Sequence, residues 1–228
     1  MLARTRSILL VRHGQSEWNA LRRWQGRADT PLTALGRRQA VLASRDLALL
    51  PPFGAVWSSP LSRAAETASI IAAELGRAVS TDDRLVESDA GEWQGLTPDE
   101  IERAYPGFLR DHRRPPTFET FSSVVERSTA ALVDITSALA RAADDRPVLV
   151  VAHSGVLRSI VRHLGAPDER IPNLGGVWVT SSISGDDFRL SLGDRFRPAG
   201  VDVPVVDAGG EDPGEQPDHA DADGRAER

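Results

Sequence analysis

The sequence predicts an α/β protein with three layers, α/β/α, around a mostly parallel central sheet. Short apolar runs of strand length recur at residues 7–11, 55–58, 148–152, 177–183 and 188–192. The segments between them carry apolar residues at helical spacing. Strands that alternate with helices build parallel sheets, because a parallel partner can only be reached by a crossover. A third observation gives the sheet a purpose. Two of these runs end in Arg or His and a third leads through a turn to Arg63, at the end of the strand where such sheets hold their ligands.

Each element follows from its own residues. "ILLV" (Ile8 to Val11) has no polar break, as expected of a strand buried on both faces. It runs into Arg12, His13 and Gly14, a poor way to finish a core unless negative charge waits at the tip. Thr33 is a good N-cap for "ALGRRQAVLASRDLALL". "AVWSS" leads through a short turn into "SPLSRAAETASIIAAELG", with Arg63 on its first helical turn. There Leu61, Ala65, Ala68, Ile71 and Leu75 form one stripe, and Gly76 ends the helix. Val124, Ser128, Ala131, Leu132, Ile135 and Leu139 mark a third, longer helix. Finally "VLVVAHSG" delivers His153, Ser154 and Gly155 to the start of "VLRSIVRHLG". With these strands as neighbours, two His and two Arg meet beside the free N–H groups of a helix start. Phosphate prefers such a place.

Composition narrows the chemistry. The chain has 228 residues, which fits one domain, residues 1–198, with an appendage. Residues 201–228 hold nine Asp and Glu against two Arg, a charge of −7 that leaves the rest near +1 out of the total of −6. That tail lacks aromatic residues and, after Val206, large apolar ones, so residues 199–228 are expected to be an acidic, disordered tail. Cysteine is absent, which excludes disulfides, thiolate nucleophiles and Cys-ligated metals. All 27 basic residues are Arg, so Schiff-base chemistry and the P-loop lysine are excluded too. The near-neutral body has no long basic stripe and argues against nucleic acid. No apolar run reaches the length of a signal peptide or a membrane helix, so a cytosolic protein is expected.

"LLVRHGQSEWN" resembles the RHG signature of the histidine phosphatase superfamily, also called phosphoglycerate mutase-like. The likeness continues through "WQGRADTPLTALGRRQA", "VWSSPLSRAAETA", "LVESDAGEWQGLTPDEI" and "VLVVAHSGVLRSIV", and spans about residues 7–192. The resemblance implies that His13 is a nucleophile that forms a phosphohistidine. It implies that Arg12, Arg63 and His153 hold the phosphoryl oxygens, with Asn19 assisting, and that Gln25, Gly26 and Ser154 also contact the substrate or its phosphate. Glu87 would donate the proton to the leaving group. No metal and no organic cofactor are implied. A neutral imidazole near pH 7 suits the first role, a protonated His153 would add positive charge, and Gly14 is expected to leave room for phosphate.

Two departures stand out. The family's Gly-Gly-Glu-Ser is "TFET", which keeps Glu119 and a hydroxyl at Thr120 with Arg127 eight residues beyond Glu119. The family's His-Gly-Gly is "HSG", so Ser154 adds a hydroxyl. The stretch after Glu87 lacks the basic insertion of the mutases, which favours phosphomonoester hydrolysis over a bisphosphoglycerate-dependent mutase. A non-catalytic phosphate-binding member and a nucleotide binder fit less well, since the core positions are intact and no glycine-rich loop is present. The partner expected is a small-molecule phosphate ester; a homodimer is left open. Glucosyl-3-phosphoglycerate, 3-phosphoglycerate, α-ribazole phosphate or a broad set of esters all suit, the first favoured by similarity at "NLGGVW". Arg110, His112, Arg113 and Arg114 are expected to overhang the site and read a second anionic group.

Overall fold

The computed structural model describes residues 4–184, 187–199 and 201. The acidic tail expected from residue 199 onward therefore falls almost wholly outside the described residues. The elements run β1 (Arg4–Arg12), α1 (Glu17–Ala20), α2 (Ala34–Ala48), β2 (Ala55–Ser58), α3 (Ser62–Leu75), β3 (Val79–Thr81) and α4 (Pro98–Ala104). Then follow α5 (Phe121–Arg141), β4 (Val148–Ala152), α6 (Ser154–His163), β5 (Gly176–Ser184) and β6 (Asp187–Phe196). The sheet order is β3-β2-β4-β1-β5-β6. The first four of these strands are mutually parallel, while β5 lies antiparallel on β1 and β6 antiparallel on β5. A mostly parallel sheet is what the sequence predicts.

The unbroken "ILLV" is explained by its two faces. Ile8 and Leu10 join the core with Leu132 and Ile135 of α5 and Leu157 and Ile160 of α6. Leu9 and Val11 point the other way, into the core with Ala43 and Leu47 of α2 and Ala68 and Ile71 of α3. None of these four strand residues is more than 1% exposed. Each contributes on the order of 2 kcal/mol by burial, which holds the strand taut up to its polar end.

The predicted caps are present. The Thr33 hydroxyl accepts from Gly36 N at 2.9 Å, and α3 ends on Gly76 in the left-handed region at φ 61°. The stripe predicted for α3 needs correction. Leu61, Ala65 and Leu75 are only half-buried, and the inward face is Arg63, Ala64, Thr67, Ala68, Ile71 and Ala72. Thr67 fits this face because its hydrogen bonds are satisfied there: its hydroxyl donates to Arg63 O at 2.6 Å and accepts from Gly14 N at 3.1 Å. Among the described residues, no helix is long and apolar enough to cross a membrane.

Strand register places the site. Arg12 pairs with Ala152, so His13 and His153 leave adjacent parallel strands side by side. Ser58 pairs with Val151, which brings Ser59 to the other side of His153.

Candidate active site

His13 is 2% exposed, and its backbone N donates to Ala152 O at 3.0 Å. Its ring Nδ1 lies 2.6 Å from Gly14 O. A carbonyl only accepts, so Nδ1 carries the proton and the lone pair sits on Nε2. Burial, then Arg63 and then Arg12, push the His13 pKa well below 6.5, against a smaller opposing effect of Gly14 O. At neutral pH the ring is an uncharged base with its free nitrogen defined.

His153 is fully buried, 5.1 Å from His13 between ring centroids, with Nε2 2.8 Å from the Ser59 hydroxyl. Burial and the charges of Arg63, His13, Arg127 and Arg12 hold its pKa well below 6.5. The condition under which His153 would add positive charge is therefore disfavoured at neutral pH: burial and the cations around it oppose a further one. Its Nδ1 is buried with no hydrogen-bond partner among the described residues.

The fixed positive charge comes from guanidinium groups. Arg63 is fully buried; Nη1 donates to Ala28 O at 2.7 Å and Nη2 to Gly26 O at 2.9 Å. Burial lowers its pKa to about 10, with Glu87 and Asp29 pulling the other way, so it stays charged at neutral pH. Arg12 donates from Nη1 to Ile171 O at 2.8 Å. Gly14 is required by the packing of the chain as well: a Cβ there would stand 2.6 Å from Gly36 O. It admits the start of α2, and a side chain here would collide with backbone.

Two amides are oriented by their neighbours. Asn19 Oδ1 accepts from Ser16 N at 3.2 Å and from Asn173 Nδ2 at 3.4 Å. Gln25 Oε1 accepts from the hydroxyls of Ser16 at 2.6 Å and Thr30 at 2.8 Å. With each oxygen occupied, both residues turn their NH2 donors to the other side. Glu87 accepts from Ser88 N at 2.8 Å through Oε1 and from Gly155 N at 3.1 Å through Oε2. A Cβ on Gly155 would collide with Glu87 Oε1, so glycine at the start of α6 is what lets the carboxylate sit there.

Arg12, Asn19, Gln25, Gly26, Glu87 and Ser154 line one open cleft, together with Arg23, Trp24 and Arg158. His13, Arg63 and His153 are buried among them. All nine predicted positions therefore converge. The overhang does not: Arg110 pairs with Asp111 at 2.8 Å, Arg113 lies over the Phe108 ring, and His112 is exposed. Arg114 lines a small neighbouring cavity that shares Ser88, Phe118 and Gly155 with the cleft. It lies 5.0 Å from the Trp93 ring centroid and 5.2 Å from that of Trp24.

Sequence reasoning missed Asn173, whose Nδ2 also donates to His13 O at 2.8 Å. It missed Arg158 too, which lines the cleft and forks onto Asp168 with both contacts at 2.6 Å. Asn173 stands directly before Leu174 at φ 59° and two glycines, a kink signal that marked a loop but not its target. Among the described residues, no group of three or more His, Asp or Glu is arranged to hold a metal ion.

Residues 8–184 match the family model described as histidine phosphatase superfamily, branch 1. The chain belongs to this superfamily. It is 40% identical to a glucosyl-3-phosphoglycerate phosphatase of Mycolicibacterium vanbaalenii, over 76% of this chain and 81% of that one. It is 31% identical to phosphoserine phosphatase 1 of Hydrogenobacter thermophilus, over 67% and 73% of the two chains. The solved structure of a mycobacterial glucosyl-3-phosphoglycerate phosphatase in complex with VO3 superposes with a TM-score of 0.74 at 29% identity, covering 83% of this chain and 98% of that one. The fold and the phosphatase class are thus those of the histidine phosphatases. Within that family, this member's cleft is lined by Arg23 and Arg158 beside the positions that resemblance names.

Proposed function

We propose that this histidine phosphatase hydrolyses the phosphomonoester of a small carboxylic acid, with glucosyl-3-phosphoglycerate as the first candidate, and needs no metal. The observation that carries the mechanism is His13: buried, uncharged, and fixed by Gly14 O so that Nε2 is the free nitrogen. Nε2 attacks phosphorus, the P–O bond to the ester oxygen breaks, and Glu87 gives that oxygen its proton. Water then attacks the phosphohistidine, Glu87 takes up its proton, and the N–P bond breaks to return neutral His13 and inorganic phosphate. Charge on the equatorial oxygens is met by Arg12 and Arg63, by the NH2 groups of Asn19 and Gln25, by Ser154, and by the open Nδ1 of His153. Two guanidinium groups supply the charge that a divalent ion supplies in other phosphoryl-transfer sites, which supports a metal-independent reaction.

The substrate reading rests on leaving groups. Glucosyl-3-phosphoglycerate and phosphoserine, the substrates in the names of two relatives, both carry a carboxylate two carbons from the ester carbon. Arg23 and Arg158 line the cleft near Glu87, where such a carboxylate would come to rest. The test is a hydrolysis panel of glucosyl-3-phosphoglycerate, 3-phosphoglycerate, phosphoserine and glycerol 3-phosphate, with and without EDTA. The best carboxylated ester should exceed glycerol 3-phosphate at least about 10-fold in kcat/KM, which is roughly 1.4 kcal/mol, and EDTA should leave the rate unchanged. Equal rates for both kinds of ester would remove the carboxylate from the reading. Loss in EDTA with recovery in a divalent ion would remove metal independence.

A further inference from the structure

Glu87 has no rigid element of its own. It stands in an irregular stretch after a single 3-10 turn at Asp83–Leu85, yet a proton donor has to meet the leaving oxygen at hydrogen-bond distance. What fixes the stretch is a pair of residues outside the cleft. From α5, Arg127 Nη1 donates to Arg84 O at 2.7 Å and to Val86 O at 2.6 Å, and Nη2 to Glu87 O at 3.2 Å. The other edge of the same guanidinium forks onto Glu119, Nε to Oε1 at 2.8 Å and Nη2 to Oε2 at 3.0 Å. Glu119 then holds the far end of the stretch: Oε2 accepts from Asp89 N at 3.1 Å, and Glu119 N donates to Asp89 O at 2.9 Å.

We propose that Arg127 and Glu119 are positioning residues that set Glu87 at the height of the leaving-group oxygen. This inference rests on the reading of Glu87 as the proton donor. The pair differs from a surface ion pair: its side chains are only 15% and 8% exposed, and its bonds run to the backbone of residues 84–89 at both ends. Burial would raise the Glu119 pKa, but Arg127 and the Asp89 and Ser123 donors bring it down to about 2, so the fork persists at working pH. Ser123 Oγ and Arg27 Nη2 complete the carboxylate's contacts, at 2.9 and 3.2 Å. A lysine at Arg127 would keep the charge but could not serve three carbonyls and a carboxylate from one plane. The glycine-free "TFET" still delivers Glu119, because the Thr120 hydroxyl caps α5 through Ser123 N at 3.2 Å.

The test compares Arg127→Lys, Glu119→Gln and Glu87→Gln in single-turnover phosphorylation of His13. Two esters are used, 3-phosphoglycerate with a poor leaving group and p-nitrophenyl phosphate with a good one. General acid catalysis contributes about 10²–10⁴-fold where the leaving group needs a proton. Arg127→Lys should therefore slow 3-phosphoglycerate at least about 30-fold and p-nitrophenyl phosphate no more than about 3-fold. In the Glu87→Gln background it should add less than about 3-fold, since one lost proton transfer cannot be lost twice. Equal losses on both esters, or full additivity with Glu87→Gln, would overturn the positioning role. Should Glu87→Gln show the leaving-group preference and Arg127→Lys and Glu119→Gln not, only the positioning role falls. Should Glu87→Gln itself show none, the proton-donor reading falls with it. Glu119→Gln, nearly isosteric, carries the same comparison if Arg127→Lys does not fold.

Discussion

Replacing His13 by alanine is expected to lower kcat by at least about 10⁴-fold, roughly 5.4 kcal/mol. Its ring is an uncharged nitrogen base buried among the residues that line the cleft, and its neighbour His153 has one nitrogen committed to Ser59. In the proposed mechanism Arg12 and Arg63 would still bind phosphate and stabilise its equatorial oxygens, so some acceleration over water is expected to survive. Folding should persist, because the contacts that tie this turn together are made by backbone: His13 N to Ala152 O, and His13 O to Asn173 Nδ2. The checks are turnover and acid-labile phosphate labelling. A variant that keeps more than a hundredth of the rate, or that still takes up label, refutes His13 as the nucleophile.

Arg63→Met separates function from stability. Methionine fills much of the volume but leaves Gly26 O and Ala28 O without their donor, at a cost of about 1–3 kcal/mol each. Against that stands the burial of a cation whose pKa has fallen to about 10, a penalty of roughly 3 kcal/mol that the variant escapes. The two effects are of similar size and opposite sign, so the urea midpoint should correspond to a stability change within about 1 kcal/mol. The activity has no such offset. Removing a fixed positive charge from the phosphoryl group should lower kcat/KM by about 10³-fold. A stability loss above about 3 kcal/mol, or an activity loss below about tenfold, would make Arg63 a structural residue first.

Much of the site is legible in the order of the residues alone. The apolar runs ending in "RHG" and "AHSG" mark both strand tips, because two-faced burial demands an unbroken apolar run and a charged ending has no place in a core. What escapes has local patterns that do not differ from their surroundings. β3 is three residues long with Ser80 and Thr81 exposed, so no alternation can announce it. In α3 the buried face includes Arg63 and Thr67, and hydrophobic periodicity cannot see a polar residue that points inward. Sheet order also lies beyond local reading: that β4 enters between β2 and β1 depends on pairing across 140 residues. Arg127 is visible as a partner of Glu119, but the three carbonyls it grips cannot be inferred from an eight-residue spacing. The Arg-rich 110–114 segment misleads in the opposite direction at Arg110 and Arg113, whose charges Asp111 and the Phe108 ring engage, while Arg114 lines a cavity beside the cleft.

The two neutral imidazoles also make the fold a proton sensor. His13 and His153 titrate near 6.5 once exposed in the unfolded chain, but well below that value in place. Above pH 6.5 neither state binds the extra protons, and stability does not change on their account. Below it the unfolded chain takes up to two protons that the native state refuses, so unfolding is drawn forward by about 2.7 kcal/mol per pH unit at most. The loss continues until pH reaches the depressed native values, and it begins well before carboxylates such as Glu119, whose unfolded pKa is near 4.5, start to protonate. Urea midpoints recorded between pH 7.5 and 5 should therefore slope downward on acidification, and a His153→Gln variant should show about half the slope. The same burial that keeps the two rings uncharged thus makes the native state less tolerant of acid.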